Sequence, residues 1–220
     1  MNTLPLSTIE LHPEGEANSC VIWMHGLGAD GNDFVPIVPE LRLPSSIKAR
    51  FIFPNAVVRP VTINGGAPMR AWYDIALLND IERKPDEPNI RDSQARVEKL
   101  IAREIARGIP AKKIILAGFS QGGVIALQTG LRHGQRLGGI MALSTYLALG
   151  ETLAKEGSEA NKDIPIFMAH GTRDAVIALA IAEKSHAALK AAGYKVQWQT
   201  YPMEHSVSAE EVGAIAKFLR

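Results

Sequence analysis

Three observations predict an α/β fold with a mostly parallel, twisted sheet of about seven strands and helices on both faces. Strand-like apolar runs alternate with amphipathic helical patterns along the whole 220-residue chain, as crossover helices between parallel strands require. Gly118-Phe119-Ser120-Gln121-Gly122-Gly123 follows the apolar run Ile114-Ile115-Leu116-Ala117 and precedes a helical pattern of Val124, Leu127, Gln128 and Leu131, which marks a sharp strand-to-helix turn. An early strand, Val21-Ile22-Trp23-Met24, runs into His25-Gly26-Leu27-Gly28-Ala29-Asp30-Gly31, where three glycines in seven residues allow close approach to the backbone.

The elements follow in order. An edge strand at Ser7 to Leu11 is predicted before strands near Ser19 to Met24, Arg50 to Phe53, Lys113 to Phe119, Gly138 to Leu143, Ile164 to Ala169 and Lys195 to Tyr201. Between Ser93 and Gly108, residues Val97, Leu100, Ile101 and Ile105 share one helical face, and Gly108 with Pro110 gives a stop signal. A helical pattern runs from Ala178 to Ala192. The last helix is predicted from Ser208 to Leu219, with Ser208 and Glu211 as its capping box. Pro54 to Asn89 is too long for an ordinary connection and is broken by Pro60, Gly65, Gly66, Pro68, Pro85 and Pro88, the mark of a binding loop or of a disordered stretch. Its charged part, Ile81 to Glu87, reads as solvated surface. Met69, Trp72, Tyr73, Ile75, Leu77 and Leu78 are too apolar to stay exposed, and are either satellite core or the wall of a groove.

A serine in a strained turn has its hydroxyl pushed into the open, but it needs a neighbouring base, and the base needs a third group to hold its tautomer. Sites on parallel sheets form at the carboxyl ends of strands, so each partner must follow a strand. His12, His133 and His186 fail this condition and read as surface or packing residues. His25 and His170 follow strands but lie in the wrong chain order for nucleophile, acid and histidine. His205, in the loop after the strand Val196 to Tyr201, satisfies both conditions. Asp163 precedes a strand; Asp174 follows it, in His170-Gly171-Thr172-Arg173-Asp174, and is the expected acid, its alternative being to cap the next helix. Glu204 cannot orient the imidazole beside it, because adjacent side chains on an extended loop diverge. The oxyanion of an acyl-transfer intermediate needs backbone donors, for which the Gln121 and Leu27 N–H groups are the candidates. The glycine loop lacks the spacing and lysine of a nucleotide-phosphate loop.

His25-Gly26-Leu27-Gly28-Ala29-Asp30, Phe53-Pro54-Asn55-Ala56, Pro60 to Gly66, Met69 to Asp74, Gly118 to Gly123 and His170-Gly171-Thr172 closely resemble the carboxylesterase and acyl-protein thioesterase family of α/β-hydrolases. The matches run in order from about His25 to the C-terminus. The resemblance implies a small, nearly lidless α/β-hydrolase fold without a large cap domain, a serine esterase with catalytic Ser120, Asp174 and His205, no cofactor, and in many members a homodimer. The chain departs from the family where prolines normally follow the acid, having Ala175-Val176-Ile177-Ala178, and where glycine normally precedes the histidine, having Glu204.

Composition narrows the field. At 46% hydrophobic and a formal net charge of +1, the chain is expected to form one domain over residues 1–220, with no electrostatic case for nucleic acid or anionic membrane. Met1 to Pro5 lacks a secretory start and no apolar run approaches the roughly 20 residues of a membrane span, so stable membrane insertion is not expected and a cytoplasmic location is. The single cysteine, Cys20, reads as a buried small hydrophobe. A serine hydrolase of carboxylic esters with short to medium acyl chains, or of thioesters, is the expectation. The substrate is a small-molecule ester or an acylated molecule, held against Met69, Trp72, Ile75, Leu77 and Leu78. An acyl-protein thioesterase or lysophospholipase with the same triad is the alternative. A non-catalytic binding protein requires a defect in the site, and a peptidase on this fold normally carries an extra domain.

Overall fold

The computed structural model describes residues 5–77 and 83–220, with the side chains of residues 77 and 83–85 outside that description. The chain runs through β1 (Thr8–Leu11), β2 (Ser19–Met24), α1 (Ile37–Glu40), β3 (Ala49–Pro54), β4 (Val58–Val61), β5 (Ala67–Arg70), β6 (Ile75–Leu77) and β7 (Arg83–Pro85). It continues through α2 (Glu87–Ala106), β8 (Ile114–Phe119), α3 (Gln121–Gly130), β9 (Gly139–Leu143), α4 (Leu153–Glu156), β10 (Ile166–Gly171), α5 (Leu179–Ala191), β11 (Val196–Tyr201) and α6 (Ala209–Phe218).

Seven strands form the central sheet in the order β1-β3-β2-β8-β9-β10-β11, with β1 antiparallel to β3 and the other neighbours parallel. Strands β2, β3, β8, β9 and β10 are buried almost throughout, as expected where helices cover both faces. One core layer joins the sheet to α2 and α3 through Val97, Leu100, Ile101, Val124 and Leu127. The other packs Trp23, Phe34, Leu41 and Phe53 together with Ile215 of α6. Register decides where the site can lie. Gly118 pairs with both Met24 and Ala142, so the loops after β2, β8 and β9 leave the sheet at one level. His170 and Gly171 pair with Thr200 and Tyr201. The acid and histidine loops therefore leave neighbouring strand ends on the same edge.

The structure corrects the predicted boundaries in three places. Helix α2 begins six residues before Ser93, because Asp86 caps it by accepting the Asn89 N–H at 3.1 Å, and Pro88 sits in the first turn, where no helical donor is lost. The long segment after β3 is not structureless: β4 with β5, and β6 with β7, form two small antiparallel hairpins outside the main sheet. Leu78 and the charged residues up to Glu82 lie outside the described residues. Strand β10 also runs two residues further than expected, which takes in His170 and Gly171.

Buried charge is handled in two ways. Glu104 of α2 is fully buried but meets Arg50 at 2.6 Å and Arg103 and Arg107 at 3.0 Å, and Glu10 of β1 pairs with the same Arg103 and Arg107, so the network fastens α2 to β1 and β3. Glu211 of α6 is equally buried, yet neither carboxylate oxygen has a hydrogen-bond partner. Only half of its capping box forms: Ser208 Oγ accepts the Glu211 N–H at 3.2 Å and the carboxylate does not return the bond. Burial pushes the Glu211 carboxyl up to about 8; the nearby Ser208 backbone N–H opposes the rise without forming a hydrogen bond to either oxygen. A carboxyl whose folded pKa is raised binds a proton that the unfolded chain has already lost. Its contribution to stability is therefore greatest below the unfolded value near 4.5 and declines as pH rises towards 8. Thermal melts of wild type and Glu211→Gln between pH 4 and 9 should diverge over that window, the variant gaining stability relative to wild type as pH rises. Parallel curves would mean that the carboxyl is solvated.

Candidate active site

Ser120 occupies the first position after β8 with φ 54° and ψ −120°, a left-handed conformation that few non-glycine residues adopt. The surroundings leave it no alternative. A Cβ on Gly118 would lie 2.2 Å from Gly122, and one on Gly122 would lie 2.3 Å from the Met24 carbonyl oxygen and 2.6 Å from that of His25. One on Gly123 would meet Thr145 at 2.6 Å. The three glycines thus let the start of α3 press against β8, the glycine loop and the end of β9 together. Three hydrogen bonds pin the turn: Ser120 N–H to Leu143 O at 2.9 Å, Thr145 Oγ1 to Ser120 O at 2.6 Å and Gly123 N–H to Ser120 O at 3.0 Å.

The acid and histidine loops are stitched together by Thr172 N–H to Tyr201 O at 2.8 Å and Arg173 N–H to Met203 O at 3.1 Å. Gly171 is needed there, since a Cβ would sit 2.4 Å from the Met203 and Glu204 carbonyl oxygens. Asp174 Oδ2 lies 2.6 Å from His205 Nδ1, and its Oδ1 accepts the Val176 and Ile177 N–H groups, both at 2.8 Å. The capping alternative for Asp174 does not hold, because α5 starts after Ala178 without a side-chain cap. The departure at Ala175 to Ala178 leaves both backbone donors in place. A carboxylate accepts only, so His205 Nδ1 carries the hydrogen and Nε2 presents a lone pair. The His205 ring packs 4.7 Å from that of Phe119, next to Ser120, with no hydrogen bond between Ser120 Oγ and His205 among the described residues. Such bonds commonly close only when substrate is bound.

The glycine loop faces this pair. His25 is buried with both ring nitrogens engaged: the Ala56 N–H donates to Nε2 at 3.0 Å, so Nδ1 carries the hydrogen and donates to Gly26 O at 2.6 Å. Burial holds the His25 pKa below the usual imidazole value, in keeping with a neutral ring. A trans peptide points its N–H opposite to its C=O, so fixing the Gly26 carbonyl also fixes the direction of the Leu27 N–H. Gly28 N–H is taken by Arg70 O at 2.9 Å, whereas the Leu27 and Gln121 N–H groups have no partner among the described residues. The Gln121 side chain was not foreseen. Its Oε1 accepts the Trp72 N–H at 2.8 Å and its Nε2 donates to Tyr73 O at 2.7 Å, tying the 71–73 segment to the start of α3.

That tie corrects the predicted apolar wall. Trp72 and Ile75 are core residues, 1% and 4% exposed, and the Trp72 indole N–H donates to His25 O at 2.9 Å. Met69 remains half-buried, its sulfur 3.8 Å from where a Cβ on Gly28 would stand. Leu77 contributes backbone to β6, its side chain is not described, and Leu78 lies outside the described residues. Sequence reasoning also missed a cleft of about 780 Å³ lined by Asp74, Ala76, Pro88, Tyr146, Leu147 and Leu149 among others. Tyr146 hydroxyl meets Tyr73 hydroxyl at 3.0 Å, and Thr145 beside it touches the serine turn. Of the other histidines, His133 pairs with Glu98 at 2.5 Å and His186 stacks on Trp198 at 5.2 Å. Asp163 pairs with Arg136 at the surface.

Fold and site together define an α/β-hydrolase acting on ester or thioester bonds. The sequence profile of the phospholipase/carboxylesterase family matches residues 8–220, and the chain belongs to that family. It is 42% identical over 207 residues to acyl-protein thioesterase 1 of Neurospora crassa, covering 90% of this chain and 84% of that protein. Among solved structures it is similar to acyl-protein thioesterase 2 of Zea mays, with 29% identity, TM-score 0.84 and 97% of each chain covered. It is likewise similar to Arabidopsis thaliana SOBER1, with 30% identity, TM-score 0.84, and 92% of this chain and 98% of that one covered.

The positive φ of Ser120 has a measurable cost. A non-glycine residue there is strained by about 1–3 kcal/mol, against the 0.5–1 kcal/mol of chain entropy that glycine loses on folding. Ser120→Gly should therefore be about 1 kcal/mol more stable than Ser120→Ala in urea unfolding. Equal midpoints would show that the turn is not strained.

Proposed function

We propose that this chain hydrolyses acyl esters and thioesters through a covalent acyl-enzyme on Ser120. The observation that supports this most strongly is the 2.6 Å Asp174 to His205 hydrogen bond at the strand ends beside a positive-φ serine. In this reading His205 Nε2 takes the Ser120 proton as Oγ attacks the acyl carbonyl carbon. The oxyanion forms between the Leu27 and Gln121 N–H groups. His205 then gives its proton to the departing alcohol or thiol, and a water repeats the sequence to release the acid and restore Ser120. Asp174 holds the tautomer and stabilises the imidazolium.

Two lines bear on the substrate. The relatives named acyl-protein thioesterase support a fatty acyl group in thioester linkage to a protein as a substrate class, beside carboxylic esters of short to medium chain. The cleft beside Tyr146 is lined by Ala76, Pro88, Leu147, Ala148 and Leu149 together with the carboxylates of Asp74, Asp86, Glu87 and Glu151, a lining that accepts an uncharged acyl chain and repels a free carboxylate. Contact with the acyl chain is assigned to Met69, Leu77 and Leu78 in this proposal. The action is cytoplasmic and the assembly a homodimer in the same reading. The location is supported by the single Cys20, buried as a free thiol whose pKa is raised by burial first and the Glu104 charge second, and the dimer by the family resemblance. No helix among the described residues is long and apolar enough to cross a membrane.

Replacing Ser120 by alanine should lower turnover by about 10⁴ to 10⁶, and Asp174→Asn by about 10⁴ with little change in KM. Peptide mass spectrometry after fluorophosphonate treatment should find the adduct on Ser120; an adduct elsewhere sinks the assignment. Each buried methylene contributes up to about 0.8 kcal/mol, so kcat/KM should climb up to about fourfold per carbon over the first several carbons and then level. Leu147→Asp should flatten that climb while sparing acetyl esters. A panel of oxyesters, lysophospholipids and S-acylated peptides measured with this variant and with Leu77→Asp separates the substrate classes. An unchanged profile in both variants removes the groove and leaves the hydrolase.

A further inference from the structure

His170 is fully buried at the end of β10, one helical turn's spacing before Asp174, and it has no part in the mechanism as derived so far. Its Nε2 lies 2.8 Å from the Ile177 carbonyl oxygen. A carbonyl only accepts, so Nε2 carries the hydrogen. The same Nε2 is 3.4 Å from Asp174 Oδ2, the oxygen that accepts from His205 Nδ1 at 2.6 Å. Ile177 is itself one of the two residues whose N–H groups hold Asp174 Oδ1. One imidazole N–H therefore grips the loop that cradles the acid, and its positive end stands within 3.4 Å of the oxygen facing the catalytic imidazole. Both His170 and the Asp174 side chain are excluded from water, where such a dipole is weakly screened.

We propose that His170 is a positioning residue of the hydrolytic site, acting through Asp174 to set the orientation and basicity of His205. The proposal rests on the triad reading above. Its Nδ1 has no partner, and the ring is held by Trp198, whose indole stacks on it at 6.5 Å and on His186 of α5 at 5.2 Å. Around the pair, Arg173 and Glu204 lie on the two loops and His186 on α5 behind Trp198. None of the three is hydrogen-bonded to Asp174 Oδ2 among the described residues. Withdrawing the His170 dipole makes the carboxylate more basic, which favours the imidazolium and requires a higher pH to free His205 for proton transfer. Slackening the Ile177 carbonyl misaligns the acid, and small misplacements of this kind cost up to about 10²-fold in rate.

The test compares His170→Leu, which lacks the donor, with His170→Gln, whose Nε2 reaches the same place. Rates are taken with a p-nitrophenyl ester and expressed per active site by fluorophosphonate titration, so that loss of folded protein does not enter. His170→Leu should lose about ten- to a hundredfold in kcat with KM within twofold, and the acid limb of kcat/KM should move up by about half to one pH unit. His170→Gln should recover most of both. A Leu variant with wild-type kcat and an unmoved acid limb, whatever its melting temperature, reduces His170 to packing, as does a Gln variant no better than Leu. Where neither variant folds, long-range ¹⁵N–¹H spectra of the wild-type enzyme decide, since an Nδ1–H tautomer at His170 overturns the proposal and the Nε2–H tautomer supports it. Activity surviving in Ser120→Ala or Asp174→Asn would instead overturn the triad itself, an outcome distinct from either result at His170.

Discussion

A single backbone conformation organises this molecule: the positive φ of Ser120. It can persist only if the segments around it meet too closely to allow relaxation, and the glycines at 118, 122 and 123 are what permit that closeness. Their contacts reach the Met24 and His25 carbonyls after β2 and Thr145 after β9, so three strand ends converge on one residue. The unpaired N–H of Gln121 at the first position of α3 follows from the same turn, because no helical acceptor precedes it. The strained serine and the free N–H beside it are thus two consequences of one bend.

The other half of the site combines close packing at Gly171 with a set of hydrogen bonds. The buried Asp174 carboxylate accepts from two backbone donors and one imidazole, and a second imidazole stands close by. Such a charge is tolerable inside a protein only when donors surround it. Glu104 satisfies the same condition through arginines, whereas Glu211 fails it and is driven to hold a proton. Three buried carboxyl groups in one domain therefore meet three different electrostatic solutions.

Much of this was legible in the residues. Alternating apolar runs located all seven strands of the sheet, and the serine turn, the rule that sites follow strands and the chain order together proposed Ser120, Asp174 and His205, of which the last two meet at 2.6 Å. The errors have physical causes. Proline 88 looked like an interruption because its tolerance in a first helical turn depends on where the cap lies, and Asp86 as a cap is visible only in three dimensions. Trp72 and Ile75 looked like groove because an apolar residue in a long connection reads the same whether it faces a ligand or the core. The Gln121 amide that draws Trp72 inward is contributed 49 residues away. His170 was set aside by chain order, which tests for a base and is blind to a histidine that serves the acid.

The Gln121 side chain carries one more implication. Its carboxamide offers one acceptor and one donor to Trp72 and Tyr73, so it docks on the passing chain as a neighbouring strand would. The two hairpins that flank residues 71–74 lie outside the ladder of the main sheet. They hang from it through Gln121, the His25 carbonyl, Gly28 and Tyr146, so the chain on either side can lengthen, shorten or change composition without shifting the register of any central strand. The region beside the serine turn is in this sense a replaceable fitting on a fixed sheet.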